Sequence, residues 1–119
     1  TNQFNFNKEA FSIPQLEKFV ADGNLVFGLR VADKFGDYGL VGLILVEIQG
    51  KQAVMRNFLM SCRALGRLIE HDFFNYVTKD LGERGVELSE VLFKETAKNI
   101  PAKTFFENLE MGSKKSISA

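Results

Sequence analysis

Leu40-Val41-Gly42-Leu43-Ile44-Leu45-Val46 is apolar at every position. A strand built on it shows apolar side chains to both faces of a sheet, so it has to be central and covered on both sides. The run Leu25 to Val31 precedes it, and the two are joined by Phe35-Gly36-Asp37-Tyr38-Gly39, a turn-forming loop, which predicts a hairpin. Beyond it, Gln49-Gly50 marks a tighter turn into Ala53 to Met60. The result is an antiparallel meander, with strands expected over 25–33, 39–48 and 52–60. Arg56 and Asn57 break the alternation of the third strand, which calls for either a bulge or a turn toward solvent.

Outside the meander the period becomes helical. Leu65, Ile69, Phe73, Tyr76 and Leu81 recur at helix spacing, with Gly82 and Gly85 at the exit, which predicts a main helix over 65–81. Before the meander, Ser12-Ile13-Pro14-Gln15 has the form of a capping box with proline at the first helical position, predicting a helix over 13–22. Gln3 to Asn7 alternates in the manner of an edge strand. Val86 to Phe93 reads as a further strand, and Asn99-Ile100-Pro101 opens a last helix over 100–109, with Asn99 as its cap. The tail from Gly112 is rich in Ser and Lys and is expected to be loose. The fold class is therefore α/β (α+β): a mostly antiparallel mixed sheet with helices on both faces.

At 119 residues, 45% of them hydrophobic, the chain is the size of one domain with a single core, spanning 1–119. Lys plus Arg and Asp plus Glu both number 15. No charge excess is present to drive nonspecific binding of nucleic acid or of anionic membranes, and any anion site has to be local. Cys62 is the single cysteine, so no internal disulfide forms, which suits a reducing, cytoplasmic setting. No apolar run approaches the roughly 20 residues of a spanning helix. Thr1 stands first rather than Met, with Phe4, Phe6 and Phe11 close behind, as expected of a domain cut from a longer protein.

The segment Ser61-Cys62-Arg63-Ala64-Leu65-Gly66-Arg67-Leu68 joins a strand to the main helix, where backbone N–H groups point outward at the positive end of a helix dipole. Such a place binds phosphate; Gly66 would let a ligand approach the main chain, and Arg63 and Arg67 add charge. A capped helix with solvated arginines is the ordinary alternative. Cys62 is a candidate nucleophile, since a helix start beside Arg63 lowers a thiol pKa, set against the commoner buried, inert thiol. His71, between Glu70 and Asp72, lacks the second His or Cys cluster that a metal site needs and reads as a surface residue. Asp37 and Tyr38 are polar groups in a glycine-flanked loop, open to a substrate role or simply to turn formation.

Arg63-x-x-Gly66-x-Leu68 resembles the Gln/Arg-x-x-Gly-x-Gly/Ala pyrophosphate loop of GNAT acyltransferases. Taken in order, Thr1-Asn2-Gln3-Phe4-Asn5, Phe35-Gly36-Asp37-Tyr38-Gly39-Leu40-Val41-Gly42, Phe58-Leu59-Met60-Ser61-Cys62-Arg63 and Leu65-Gly66-Arg67 with Glu70 resemble the C-terminal GNAT-like domain of FkbH-like proteins, HAD-superfamily subfamily IIIC enzymes that load glyceryl-type units onto acyl carrier proteins in polyketide biosynthesis. The resemblance covers Thr1 to about Met111. It implies that the edge from Phe58 to Met60 pairs with a pantetheine arm, that the amides of Arg63, Ala64, Leu65, Gly66, Arg67 and Leu68 hold the pyrophosphate, and that Asn99 lies near the thioester sulfur. Three positions depart from the pattern. Leu68 stands where Gly or Ala is usual, Phe106 stands where many GNAT enzymes place a proton-donating tyrosine, and Glu110-Met111 replace Gly-Phe, with almost no chain left for closing strands.

Two functions are consistent with these residues. One is an N- or O-acyltransferase using acyl-CoA or an acyl-carrier-protein phosphopantetheine thioester, in which orientation supplies most of the rate and amides near Phe58 to Met60 polarise the carbonyl. The other is a noncatalytic module that docks a carrier protein or dimerises its parent enzyme, with an upstream HAD-like domain of the same chain as neighbour. Neither involves nucleic acid or membrane, and the second allows a homo-oligomer.

Overall fold

A computed structural model describes residues 6, 12–34, 36–61, 69–94, 96, 99–108 and 114–117. In chain order the elements are α1 (Ile13–Ala21), β1 (Leu25–Asp33), β2 (Gly36–Gln49), β3 (Gln52–Met60), α2 (Ile69–Glu83), β4 (Glu87–Lys94), α3 (Ile100–Glu107) and β5 (Lys114–Ile117). The strands form one mixed sheet in the order β1-β2-β3-β4-β5. The first three pair antiparallel, while β4 lies parallel to β3 and to β5. A parallel neighbour needs a crossover, and α2 and α3 supply the two required.

The meander forms as its sequence dictates, and β2 is its middle strand. Val46 and Ile44 face the main core, while Leu45, turned the other way, is buried as well, so both faces are covered there. The loop expected over 35–39 is instead drawn into the hairpin, because Ala32 pairs with Asp37 and Asp33 with Gly36. Asp37 stabilises that corner: its Oδ1 accepts the Gly39 N–H at 2.7 Å and its Oδ2 lies 3.3 Å from Arg30. Gly39 has φ +71, in the region that favours glycine. The Gly39 amide first, and the Arg30 guanidinium after it, hold the Asp37 carboxyl below its ordinary pKa.

In β3 the break at Arg56-Asn57 is a bulge. Leu45 lies opposite Asn57 and Val46 opposite Met55, which leaves Arg56 as the extra residue. Its guanidinium turns to Glu47 Oε1 at 2.9 Å. The capping box of α1 also forms, with Ser12 Oγ accepting from the Gln15 amide and Gln15 Oε1 accepting from the Ser12 amide. Asn24 Oδ1 then accepts the Ile48 N–H at 2.9 Å and fixes the α1–β1 junction against β2.

The main core lies on the face shared by α2 and α3. Glu70, Phe73, Phe74, Val77 and Leu81 are the buried stripe of α2, and Ala102, Phe105 and Phe106 that of α3. The start of the main helix, expected at 65, lies outside the described residues. The tail expected to be loose adds a short strand, since Lys114 to Ile117 pair parallel with Val91 to Lys94. Main-chain pairing to an available strand edge asks little of side-chain composition, which is why a Ser/Lys-rich segment can do it.

Gly42 is the tightest point in this packing. A Cβ there would meet Met60 Sδ at 2.7 Å, the Phe73 ring at 3.1 Å and Leu29 Cβ at 3.3 Å. Gly42→Val is therefore expected to destabilise the domain by about 1–3 kcal/mol through overpacking. Urea unfolding measures this, and an unchanged midpoint would refute the contact.

Candidate functional site

β3 and β4 pair over only part of their length. The ladder runs from Gln52 and Glu87 to Met55 and Val91 and then stops, just before the Arg56-Asn57 bulge. Beyond it the strands separate, and the far half of β3 presents an edge. Alternation of ladder bonds means that residues turning their N–H and C=O toward β2 are followed by residues turning them away. Phe58 is one of the latter, because its carbonyl accepts the Phe6 amide at 3.0 Å on the side away from β2. Ser61 turns back, its N–H donating to Val41 O at 2.7 Å. By the same alternation Met60 directs its peptide groups into the gap.

The edge expected to pair with a pantetheine arm is thus divided. At Phe58 the chain already satisfies itself: the N–H donates to Asn57 Oδ1 at 2.8 Å, and the C=O receives Phe6. Phe6 O in turn accepts the Lys94 N–H at 2.6 Å. Residue 6 therefore bridges the separated strands from within the sheet rather than lying at its edge; the rest of the strand read over 3–7 is outside the described residues. Alternation in a short segment says that it is extended, not which strands receive it. Asn57, whose side chain is fully buried, and Phe6 are the members of this region that sequence reasoning missed.

Phe106 faces the inner end of the gap but offers only a ring. It stacks on Phe93 at 4.7 Å and 12° and stands edge-on to Phe6 at 5.9 Å. Asn99 is 1% exposed and lies at the start of α3, as expected, yet its side chain makes no helix-capping bond. Its Oδ1 accepts the Thr96 N–H and its Nδ2 donates to Lys94 O, both at 2.8 Å. With φ −107 and ψ 39 its backbone lacks the extended form in which a cap side chain reaches back to the helix. It ties the end of β4, the strand that holds Phe6, to the start of α3.

Cys62, Arg63, Ala64, Leu65, Gly66, Arg67 and Leu68 lie outside the described residues, so the pyrophosphate reading rests on sequence. At the first turn of α2, His71 is exposed; its Nδ1 is 4.0 Å from Glu70 Oε1 and its ring 4.6 Å from that of Phe105. Glu70 itself is buried, and its Oε2 has no hydrogen-bond partner among the described residues. The signal was available, since position 70 falls on the stripe of Phe73, Phe74, Val77 and Leu81. Near the outer end of the β3 edge, residues 40–43 and 59–61 line an apolar recess of about 140 Å³. Asp37 is committed to its turn.

The chain matches no protein-family model and no curated relative. Among solved structures it resembles the ribosomal-protein-S18-alanine N-acetyltransferase of Escherichia coli, with a TM-score of 0.60 and 14% identity over 88% of this chain and 63% of that one. The fold is therefore GNAT-like, and the chain spans less than two thirds of that neighbour's length.

Asn99→Ala would remove the partner of two part-buried groups, the Thr96 N–H and the Lys94 C=O, at an expected cost of about 1–3 kcal/mol. Chemical denaturation tests this. A residue serving only a ligand would leave stability unchanged.

Proposed function

We propose that the domain holds a phosphopantetheine thioester, on CoA or on an acyl carrier protein, along the outer β3 edge, and acts on its acyl group as an N- or O-acyltransferase. The observation that carries this reading is the parting of β3 from β4 after Met55, with a bulge at Arg56-Asn57 and the Met60 peptide turned into the gap. An extended arm with two amides needs such an edge. A water-excluded backbone N–H beside a thioester carbonyl stabilises the charge that develops there on attack, and holding the acceptor in line supplies most of the remaining rate. The recess over residues 40–43 and 59–61 gives apolar methylene groups a surface at the same end.

The assignment of residues follows from these features and from the resemblance. Met60 would pair with the arm, the loop from Arg63 to Leu68 would hold phosphate, and Asn99 would shape the inner end by fixing Lys94. The ordered sequence blocks favour an FkbH-like setting, with a carrier protein as partner and an HAD-like domain upstream. A docking module without catalysis is the second reading. Phe6 at the Phe58 edge favours it, as does the packing of Phe106 into a ring stack where a proton donor would serve transfer.

Calorimetric titration with CoA, acetyl-CoA and a phosphopantetheinylated carrier protein separates the two. Binding of all three, with at least tenfold loss in Gly66→Val at unchanged circular dichroism, is expected of the thioester site. Binding of the carrier alone would establish docking, and unchanged CoA affinity in Gly66→Val would remove the loop from the argument.

A further inference from the structure

Phe6 does with one residue what an amide in an extended ligand would do in the same gap. Its N–H donates to Phe58 O on β3 at 3.0 Å, and its C=O accepts from Lys94 N on β4 at 2.6 Å. Its ring is fully buried, with centroids 5.3 Å from Phe58, 5.4 Å from Phe93, 6.2 Å from Phe105 and 5.9 Å from Phe106. We propose that the Phe6 segment is a built-in competitor for the β3–β4 gap, and that a pantetheine arm reaches the inner course of the gap only when Phe6 leaves it. This rests on the reading of the gap as a phosphopantetheine site.

The contact can open without dismantling the sheet. The β3–β4 ladder that joins the two halves of the domain runs from Gln52 to Met55 and includes neither of the Phe6 bonds. Local openings span free energies from near zero up to that of global unfolding. In sequence, Phe6 is flanked by the polar Asn5 and Asn7. Departure of the ring leaves an apolar slot bounded by Phe58, Phe93, Phe105 and Phe106, which suits the methylene and acyl end of a thioester and not a charged group. With Phe6 in place, the edge open to an arm ends at Met60. Apparent affinity is then the intrinsic affinity multiplied by the fraction of molecules in which Phe6 is out.

The test titrates the full chain, Phe6→Leu and Phe6→Ala with CoA by calorimetry, and follows amide hydrogen exchange at Phe6 and Lys94 in the unmodified chain with and without saturating CoA. The expected result is affinity raised at least tenfold in Phe6→Ala and less in Phe6→Leu, with faster exchange at the Phe6 amide when CoA is bound, the Lys94 N–H passing from Phe6 to the arm. Binding to the variants and not to the unmodified chain supports the proposal equally. If CoA binds the unmodified chain while the Phe6 amide keeps its protection, ligand and segment coexist; the competitor is overturned and the thioester site stands. If Phe6→Ala loses its native spectrum and Phe6→Leu binds no more tightly than the unmodified chain, Phe6 is a core residue and the proposal falls. If none of the three binds CoA, the thioester reading fails, and the competitor fails with it.

Discussion

Where two parallel strands part inside a sheet, the space between them has to be filled by something other than a ladder. In this domain Phe6 bridges that space through its main chain, and the Phe58 side chain anchors the core beside it. The Phe58 ring lies 5.7 Å from Phe73 and 6.4 Å from Phe74 of α2, 5.5 Å from Phe105 of α3, and 5.3 Å from Phe6. Burying one phenylalanine contributes about 1.5–3 kcal/mol, and each well-placed ring pair adds about 0.5–1.5 kcal/mol. Both crossover helices take their seat on this ring, so the parting of β3 and β4 and the placement of α2 and α3 are one constraint. The bulge just before it belongs to the same device. By inserting Arg56 it restores Phe58 and Met60 to the core face occupied by Ala53 and Met55.

Strand β3 was legible to both ends, Gln52 to Met60, because turn chemistry bounds it on one side and a change of period on the other. The bulge was legible as a fault in alternation, though not as distinct from a turn; only the partner strand shows that Leu45 faces Asn57. Less could be read of Asn99. Asparagine before Ile-Pro signals a helix cap, and the helix does begin there, but the side chain serves Thr96 and Lys94. The β5 segment was hidden because parallel pairing at an edge leaves little trace in composition. Phe6 was hidden for a related reason: the sequence marks an apolar residue among polar ones, while the gap that receives it is created by residues far along the chain, Phe58 on one side and Lys94 on the other.

The chemistry available in the gap is narrow. Its inner end is phenyl on all sides, Asn57 spends its acceptor on the Phe58 N–H, and Asn99 spends both ends of its amide on the main chain. What is left for catalysis is backbone polarity and positioning, since no described side chain there offers a proton at neutral pH. General acid catalysis is commonly worth about 10²–10⁴-fold. A transferase built on this frame would run on the orientation and oxyanion terms alone, and would favour acceptors that need no assisted departure of the thiolate.

Glu70 sharpens the electrostatic side of the same problem. The first turn of α2 carries Glu70 and Asp72, which complement the positive end of the helix dipole and so occupy part of the field that an anion would use. Arg63 and Arg67 precede them in sequence, so the local formal charge of these four side chains is close to balanced. Among the described residues, the buried Glu70 Oε2 has no hydrogen-bond partner, and the helix dipole is what favours it there. A pyrophosphate held at this helix start would therefore depend on close approach to backbone N–H groups more than on net positive charge. In that reading the absence of a side chain at Gly66 would be the deciding feature of the sequence, and the bulk of Leu68, more than the loss of any charge, would be the feature that opposes it.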